Sequence, residues 1–114
     1  MKARCITWTE ETGPWSGEFQ GAGSQVSIIF NRLERPGEGP ELHRHPYAET
    51  FLVRKGRIRF TVGEATLDVP AGRIVVVPAG VPHRFTSLSD EAEMIDIHAS
   101  GRFVTEWLQA PTAS

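Results

Sequence analysis

The chain has 114 residues, 39% of them apolar, and its formal net charge is −2. This length fits one domain over residues 1–114. The small net charge and the lack of any basic run argue against a nucleic-acid or membrane partner. Residues 1–12 lack the apolar core of a signal peptide, and the single cysteine, Cys5, makes no internal disulfide. We therefore expect a cytoplasmic protein.

Glycine and proline are spread along the chain, with 11 and 8 copies, and this spread predicts many short strands joined by tight turns. We predict a strand over residues 3–9, an irregular glycine-rich loop over 13–24 and a strand over 25–33. A short strand over 41–45 and another over 49–55 follow. The first half of the chain is therefore predicted to form β-strands separated by turns.

The second half continues this pattern. Residues 57–69 alternate in polarity around a Gly-Glu pair that suits a type II′ turn, which predicts a hairpin. Residues 73–77, RIVVV, are apolar on both faces, so we expect a strand that lies between two layers or under a subunit contact. A last strand is predicted over 93–99. Residues 102–109 have apolar side chains at helical spacing, which predicts a short C-terminal helix. About nine strands and one helix indicate an all-β sandwich or jelly-roll barrel.

Three histidines and one glutamate are candidate metal ligands. His43 and His45 are two apart and would point to one face of an extended strand, and Glu49 opens the next apolar stretch. His83 lies in a second, separate stretch. Imidazole and carboxylate groups are ligands of non-haem metal sites. Each of these residues has an ordinary structural explanation by itself, so the case for a metal rests on the set.

The two stretches resemble the two sequence motifs of the cupin superfamily. The first, over residues 37–56, has the anchors of the first cupin motif at their usual spacing: Gly37, His43, His45, Glu49 and Gly56. The second, over residues 72–87, has the anchors of the second motif: Gly72, Pro78, Gly80 and His83. It departs once, because Ser87 stands where the family usually has asparagine. The resemblance implies that residues 1–114 form a cupin domain, a jelly-roll or double-stranded β-helix barrel.

A metal site follows from the same resemblance. It implies one divalent transition metal per chain, which could be Fe, Mn, Zn or Ni, held by His43, His45, Glu49 and His83. No thiolate is present in this set to select a soft ion. Four protein ligands leave open positions on a five- or six-coordinate ion, as a catalytic metal requires.

The fourth histidine, His98, shares a strand face with Met94 and Asp96. If that face points inward, His98 is an acid/base group or a partner of a ligand; if it points outward, it is a surface histidine. We expect the substrate pocket to be lined by Tyr47, Phe51, Phe60, Phe85, Ser87 and His98. Filling the core is an equal alternative for the phenylalanines, and a plain turn position is the alternative for Tyr47.

Three functions are compatible with the sequence. The first is a metal-dependent enzyme acting on a small molecule, either dioxygenase-like, which we favour, or a Lewis-acid isomerase or decarboxylase. The second is a module that binds or senses a metal and a small ligand without turnover. The third is a structural barrel with an incidental metal. Small cupins often form homodimers, and the strand RIVVV needs cover on both faces, so we expect a symmetric homodimer.

Overall fold

The computed structural model describes residues 3–5 and 16–109. Within them the chain forms ten β-strands and no helix, so no helix in this part of the chain is long and apolar enough to cross a membrane. The strands are β1 (Gly17–Phe19), β2 (Ser27–Leu33), β3 (His43–Arg44), β4 (Glu49–Lys55), β5 (Arg57–Val62), β6 (Ala65–Pro70), β7 (Arg73–Val77), β8 (His83–Ser87), β9 (Ala92–His98) and β10 (Glu106–Trp107).

The strands form two five-stranded sheets in which neighbouring strands are antiparallel. Sheet I has the order β1-β2-β9-β4-β7, and sheet II has the order β10-β3-β8-β5-β6. Apart from the β1–β2 and β5–β6 connections, each successive strand crosses to the opposite sheet. Such crossing between two facing antiparallel sheets is the jelly-roll arrangement. The prediction of an all-β jelly-roll barrel is therefore confirmed.

The hydrophobic core lies between the two sheets. Phe51 of sheet I and Phe60 and Phe85 of sheet II form a triangle of rings with centroids 5.0 to 5.9 Å apart. Phe51 and Phe60 have no exposed surface. Each such side chain contributes about 1.5–3 kcal/mol by burial. One end of this core meets the candidate site, because the Phe51 ring centroid lies 6.1 Å from that of His83.

The helix predicted over residues 102–109 is wrong. Residues Glu106 and Trp107 form β10 and pair with β3, with Trp107 opposite His43. The backbone N–H groups of Leu108 and Gln109 donate to the carbonyl of Leu42. An isolated helix of eight residues is marginal in water, so pairing with a strand edge outweighs the helical spacing of the apolar residues.

The N-terminal predictions also differ from the structure. Gly17–Phe19, inside the predicted loop over 13–24, form β1 and pair with β2 at the edge of sheet I. The apolar surface of β2 at this edge explains why a short, glycine-containing segment is extended there. Of the strand predicted over 3–9, residues 3–5 have no regular secondary structure, and the remainder lies outside the described residues.

Strand β7, which carries RIVVV, lies at the edge of sheet I with only one face buried. Val75 and Val77 point into the core, whereas Ile74 and Val76 are 64% and 59% exposed. The expectation that this strand lies between two layers therefore does not hold for the described part of the chain. The alternative, a subunit contact, stays a prediction.

One close approach in the segment 34–42 shapes the opening of the barrel. A Cβ atom on Gly39 would lie 1.8 Å from the carbonyl oxygen of Phe85, so only glycine lets this segment lie on β8. The N–H of Gly37 donates to the carbonyl of Ser87, and the N–H of Ser87 donates to the carbonyl of Glu38, both at 2.9 Å. These contacts hold the segment beside the functional site.

Candidate metal centre

The register of the two sheets brings five titratable side chains to one end of the barrel. His43 of β3 and His83 of β8 are directly opposite each other in sheet II. Glu49 of β4 and His98 of β9 are directly opposite each other in sheet I. His45 lies just after β3, where the chain turns toward β4. All five side chains are buried.

Four of these residues form a His₃-Glu group. One ligand atom from each of His43, His45, Glu49 and His83 lies within 4.8 Å of the others. The four residues named from the sequence are therefore brought together from four separate positions. The group is of a kind consistent with one divalent transition metal.

Hydrogen bonds to backbone carbonyls fix the protonation of the three histidines in this group. Each Nδ1 lies within hydrogen-bonding distance of a carbonyl oxygen, which can only accept, so Nδ1 carries the proton and donates. Each Nε2 then keeps its lone pair for a metal, as is usual for ligating histidines. The three bonds are His43 to Glu41 at 2.7 Å, His45 to Val104 at 2.9 Å and His83 to Val81 at 2.9 Å.

The Glu49 carboxylate lies at the centre of the group. Its Oε1 is 3.0 Å from Nε2 of both His45 and His83, and its Oε2 is 3.0 Å from Nε2 of His98. The Nε2 atoms of His45 and His98 are buried and have no hydrogen-bond partner in the described part of the chain. Burial by itself opposes ionisation of Glu49, but the surrounding imidazoles hold its pKa well below the usual value.

This arrangement fits a cation. With Nδ1 protonated, the Nε2 lone pairs of His45 and His83 face a carboxylate oxygen at 3.0 Å. A nitrogen lone pair and a carboxylate oxygen at that distance repel each other unless a proton or a metal ion lies between them. Burial also lowers the pKa of His43 to about 4, which keeps its imidazole neutral and able to ligate. The residues therefore suit a divalent ion.

His98 lies behind Glu49, inside the barrel. Its Nδ1 is 2.6 Å from the hydroxyl of Tyr47, which also accepts a hydrogen bond from the N–H of Val104 at 3.1 Å. The ring of Phe103 packs edge-on against His98, with centroids 4.9 Å apart. Of the two placements considered for His98, the structure has the inward one. Its role as an acid or base stays a prediction.

A cavity of about 720 Å³ opens beside the cluster. Its walls come from the segment 34–42, from both sheets and from the C-terminal segment. Of the residues expected to line a substrate pocket, Phe85 and His98 are on this wall, and the metal-ligand candidates His43, His45 and Glu49 are too.

The other expected pocket residues lie elsewhere. Phe51 and Phe60 belong to the core cluster. The Ser87 hydroxyl donates to the carbonyl of Ser89 at 2.6 Å, inside its own turn. Tyr47 stacks on His45, with ring planes 9° apart. A role for these four residues in a pocket stays a prediction.

Sequence reasoning gave no role to several residues that line the cavity. Asp96 is 1% exposed, and its Oδ2 accepts a hydrogen bond from Nδ2 of Asn31 at 2.7 Å. Burial, together with the charge of Glu49, raises the pKa of Asp96 well above its usual value. The sequence did contain a signal for Asp96, because Met94, Asp96 and His98 alternate along the strand and therefore share one face. Phe103, Thr105 and Trp107 also line the cavity, and the incorrect prediction of a helix over residues 102–109 is the reason that no such role was expected for them.

Comparison with known proteins places these residues in a family. The family model described as Cupin domain matches residues 34–98. A protein named polyketide synthase CurC, from Streptomyces cyaneus, is 34% identical over 79 residues, which are 68% of this chain and 51% of that protein. The chain thus spans about half the length of this relative.

Among solved structures, a mutant of oxalate decarboxylase OxdC from Bacillus subtilis has a TM-score of 0.73 and 27% identity, covering 81% of this chain and 27% of that one. Oxalate oxidase in complex with the substrate analogue glycolate has a TM-score of 0.63 and 25% identity, covering 74% of this chain and 46% of that one. A further structure of the Bacillus subtilis decarboxylase, with a TM-score of 0.71 and 25% identity over 81% of this chain and 27% of that one, concerns its Mn(II) centres.

Proposed function

Since this chain belongs to the cupin family, we propose that it is a metal-dependent enzyme that acts on a small organic molecule. His43, His45, Glu49 and His83 hold the metal, and the substrate occupies the adjoining cavity. The observation that carries this proposal is the convergence of buried Nε2 lone pairs on one carboxylate, with each Nδ1 proton fixed by a backbone carbonyl.

Manganese is the first metal to test, because the similar decarboxylase has Mn(II) centres; iron, zinc and nickel suit the same nitrogen and oxygen ligands. A bound ion of this kind polarises a substrate oxygen and, when it is redox-active, supports dioxygen chemistry.

The protein's own groups hold the site in position. Three backbone carbonyls orient the imidazoles, and His98 lies against Oε2 of Glu49, leaving Oε1 toward His45 and His83. We propose His98 as the acid/base group, because its Nδ1 and the Tyr47 hydroxyl lie 2.6 Å apart and can exchange a proton. The His98 ring also lines the cavity, so it is within reach of a bound molecule.

Dioxygenase-like chemistry and Lewis-acid decarboxylation or isomerisation both remain candidates, and the similar structures include one oxidase and one decarboxylase. Oxygen uptake and carbon dioxide release separate them when metal-loaded protein is supplied with small oxygen-containing acids, ketones and phenols. Uptake without carbon dioxide supports the oxygenase, and release without uptake supports the decarboxylase. A ligand that binds and returns unchanged with every metal indicates a binding module instead.

Elemental analysis tests the metal site directly. We expect about one transition-metal ion per wild-type chain and a loss of most of it in His45→Ala. Asp68→Asn is the matched control, because Asp68 is an exposed carboxylate paired with Arg59 on the surface. Equal metal content in wild type and His45→Ala overturns the proposed site.

We also propose that two copies of the chain pair through the outer face of sheet I. Leu52 is opposite Ile74 on β7 and Ile95 on β9, which puts apolar side chains side by side across three strands. Ile74 and Val76 are the most exposed large apolar side chains described. A second copy covers such a self-complementary stripe under two-fold symmetry.

Light scattering tests this pairing. The wild type is expected to have the mass of a dimer at micromolar concentration, and the double substitution Ile74→Lys and Val76→Lys to give a monomer with its metal retained. A wild-type monomer contradicts the pairing. The cytoplasmic location and the lack of nucleic-acid and membrane partners stay predictions from the sequence.

A further inference from the structure

The charges around the cavity limit what it can bind. Its described lining contains the carboxyl groups of Glu18, Glu38, Glu49 and Asp96, and no lysine or arginine. A second anionic group on a substrate, placed away from the metal, would therefore meet the carboxylates of Glu18 and Glu38 and no cationic partner. This lining favours a molecule that is neutral at the end remote from the metal.

Asp96 offers a binding group at that remote end. It lies two residues from His98 on the same face of β9, which is about 7 Å along a strand. Its Oδ2 is bound by Asn31, but its Oδ1 is buried and has no hydrogen-bond partner in the described part of the chain. A buried polar atom without a partner is energetically unfavourable, so this atom is suited to a ligand that supplies a partner.

The protonation of Asp96 agrees with this role. Burial is the largest cause that raises the pKa of Asp96 above its usual value, and it acts whether or not a metal offsets the charge of Glu49. A neutral carboxylic acid has an O–H that can donate to a carbonyl or hydroxyl oxygen. A carboxylic acid that an apolar site keeps neutral at pH 7 can donate a hydrogen bond to a substrate oxygen in this way.

Aromatic side chains from the C-terminal segment form another part of the cavity wall. Trp107 is 54% exposed although its ring packs on His43, with centroids 5.0 Å apart. Phe103 covers His98 from the same segment. Ile29 and Leu33 of β2 add apolar surface. Such surfaces bind the face or edge of a flat ring.

We propose that the cavity binds a neutral molecule with a flat, aromatic or unsaturated body, and that the Asp96–Asn31 pair holds one of its carbonyl or hydroxyl oxygens. The ring lies against Trp107 and Phe103. The volume of about 720 Å³ is within the range of pockets for ligands larger than a two-carbon dicarboxylate. This substrate class rests on the proposed metal-dependent function and adds to it.

The test compares two probes that differ in charge. ortho-Hydroxyacetophenone and 4-acetyl-3-hydroxybenzoate carry the same adjacent hydroxyl and acetyl groups, which can bind the metal, but the second also has a carboxylate on the opposite side of the ring. Titration calorimetry on manganese-loaded protein, with the metal content measured first, is expected to show at least tenfold tighter binding of the neutral probe. Equal or tighter binding of 4-acetyl-3-hydroxybenzoate overturns the proposal.

Substitutions then locate the contacts. Asp96→Leu is expected to weaken binding of the neutral probe about tenfold, as for one lost buried hydrogen bond. Asp96→Asn keeps a donor and is expected to stay within about threefold of wild type. Trp107→Ala, at an exposed position, is expected to weaken binding about tenfold. The matched control Asp68→Leu is expected to change nothing.

The outcomes separate the two proposals. Wild-type protein that takes up no metal refutes the proposed function. Wild-type protein that holds its metal but does not bind the neutral probe refutes the substrate class alone. Unchanged binding by Asp96→Leu also refutes it. If Asp96→Leu does not fold, the probe pair and Trp107→Ala decide the matter, because neither alters a buried residue.

Discussion

Metal binding is expected to make the thermal stability of this protein depend on metal concentration, and His45→Ala is expected to remove that dependence. His45 is 3% exposed, its Nδ1 is bound to the carbonyl of Val104, and its Nε2 lies 3.0 Å from Oε1 of Glu49. Alanine removes this ligand and leaves the other three in place. The perturbation therefore acts on affinity more than on the rest of the barrel.

The expected shift follows from the size of the chain. An unfolding entropy of about 2.1 cal/mol/K per residue gives about 240 cal/mol/K for 114 residues. One kcal/mol then corresponds to about 4 °C in Tm. Free metal at about 100 times Kd stabilises the folded state by about 2.7 kcal/mol, or about 11 °C. If the variant binds about 100-fold more weakly, about 0.4 kcal/mol and less than about 2 °C remain.

Scanning calorimetry measures this directly. Wild type, His45→Ala and the control Asp68→Asn are each melted with excess manganese and with a chelator. Only the difference within each protein is compared, because truncation of a buried histidine also lowers the baseline Tm. If manganese raises the Tm of His45→Ala as much as that of wild type, ligation by His45 is refuted. If manganese does not raise the Tm of the control Asp68→Asn, the stabilisation by metal cannot be assigned to the candidate metal centre.

Three further predictions concern pH, Asp96 and Gly39. Imidazoles must be neutral to ligate, so bound metal is expected to be released as the pH falls below the free histidine value of about 6.5. Burial lowers the pKa of His43 to about 4, so the decisive point lies lower, and full retention after dialysis at about pH 3 contradicts histidine ligation. The pKa of Asp96 is higher in the folded state than in the unfolded chain. Its contribution to the stability of the folded state is therefore fully present at a pH below the unfolded pKa and is lost as the pH rises through the folded pKa. Metal-free Asp96→Asn is therefore expected to have a higher free energy of unfolding than wild type at pH 7, by about 1.4 kcal/mol per unit of pKa shift, and so a higher Tm; no such gain is expected at pH 3. A lower Tm of the variant at pH 7 contradicts this. Gly39→Ala puts a Cβ 1.8 Å from the carbonyl oxygen of Phe85 and is expected to cost about 2–4 kcal/mol in urea unfolding. The control Gly72→Ala, with φ +89° and open space, is expected to cost about 1 kcal/mol, and equal costs would contradict the steric argument.

Local rules accounted for most of the strands. Phe51 and Val53 alternate with less buried neighbours on β4, and the hairpin of β5 and β6 turns at Gly63 with φ +56°. Alternation and turn chemistry are properties of short segments, so they can be predicted without knowing the rest of the fold. The spacing of His43, His45 and Glu49, together with the separate His83, likewise identified a set that the structure brings together.

The C-terminal segment shows where local rules fail. Phe103, Val104, Trp107 and Leu108 have helical spacing, yet β10 pairs with β3 because an open strand edge was available to its backbone. The apolar residues on both faces of β7 likewise predicted a strand buried on both sides, but its outer face is exposed in the described part of the chain. Both outcomes depend on neighbours that are distant in sequence.

The sequence by itself therefore determined the all-β class, which follows from short-range periodicity, and the four candidate ligands, which its resemblance to the two cupin motifs implied. Only the tertiary structure decided which histidine nitrogens face the carboxylate, since backbone carbonyls such as that of Val104 set them from 59 residues away. It also decided that His98 and Asp96 face the same cavity as Trp107. The physical reason is strand register, which is fixed by packing across the barrel and not by any one segment.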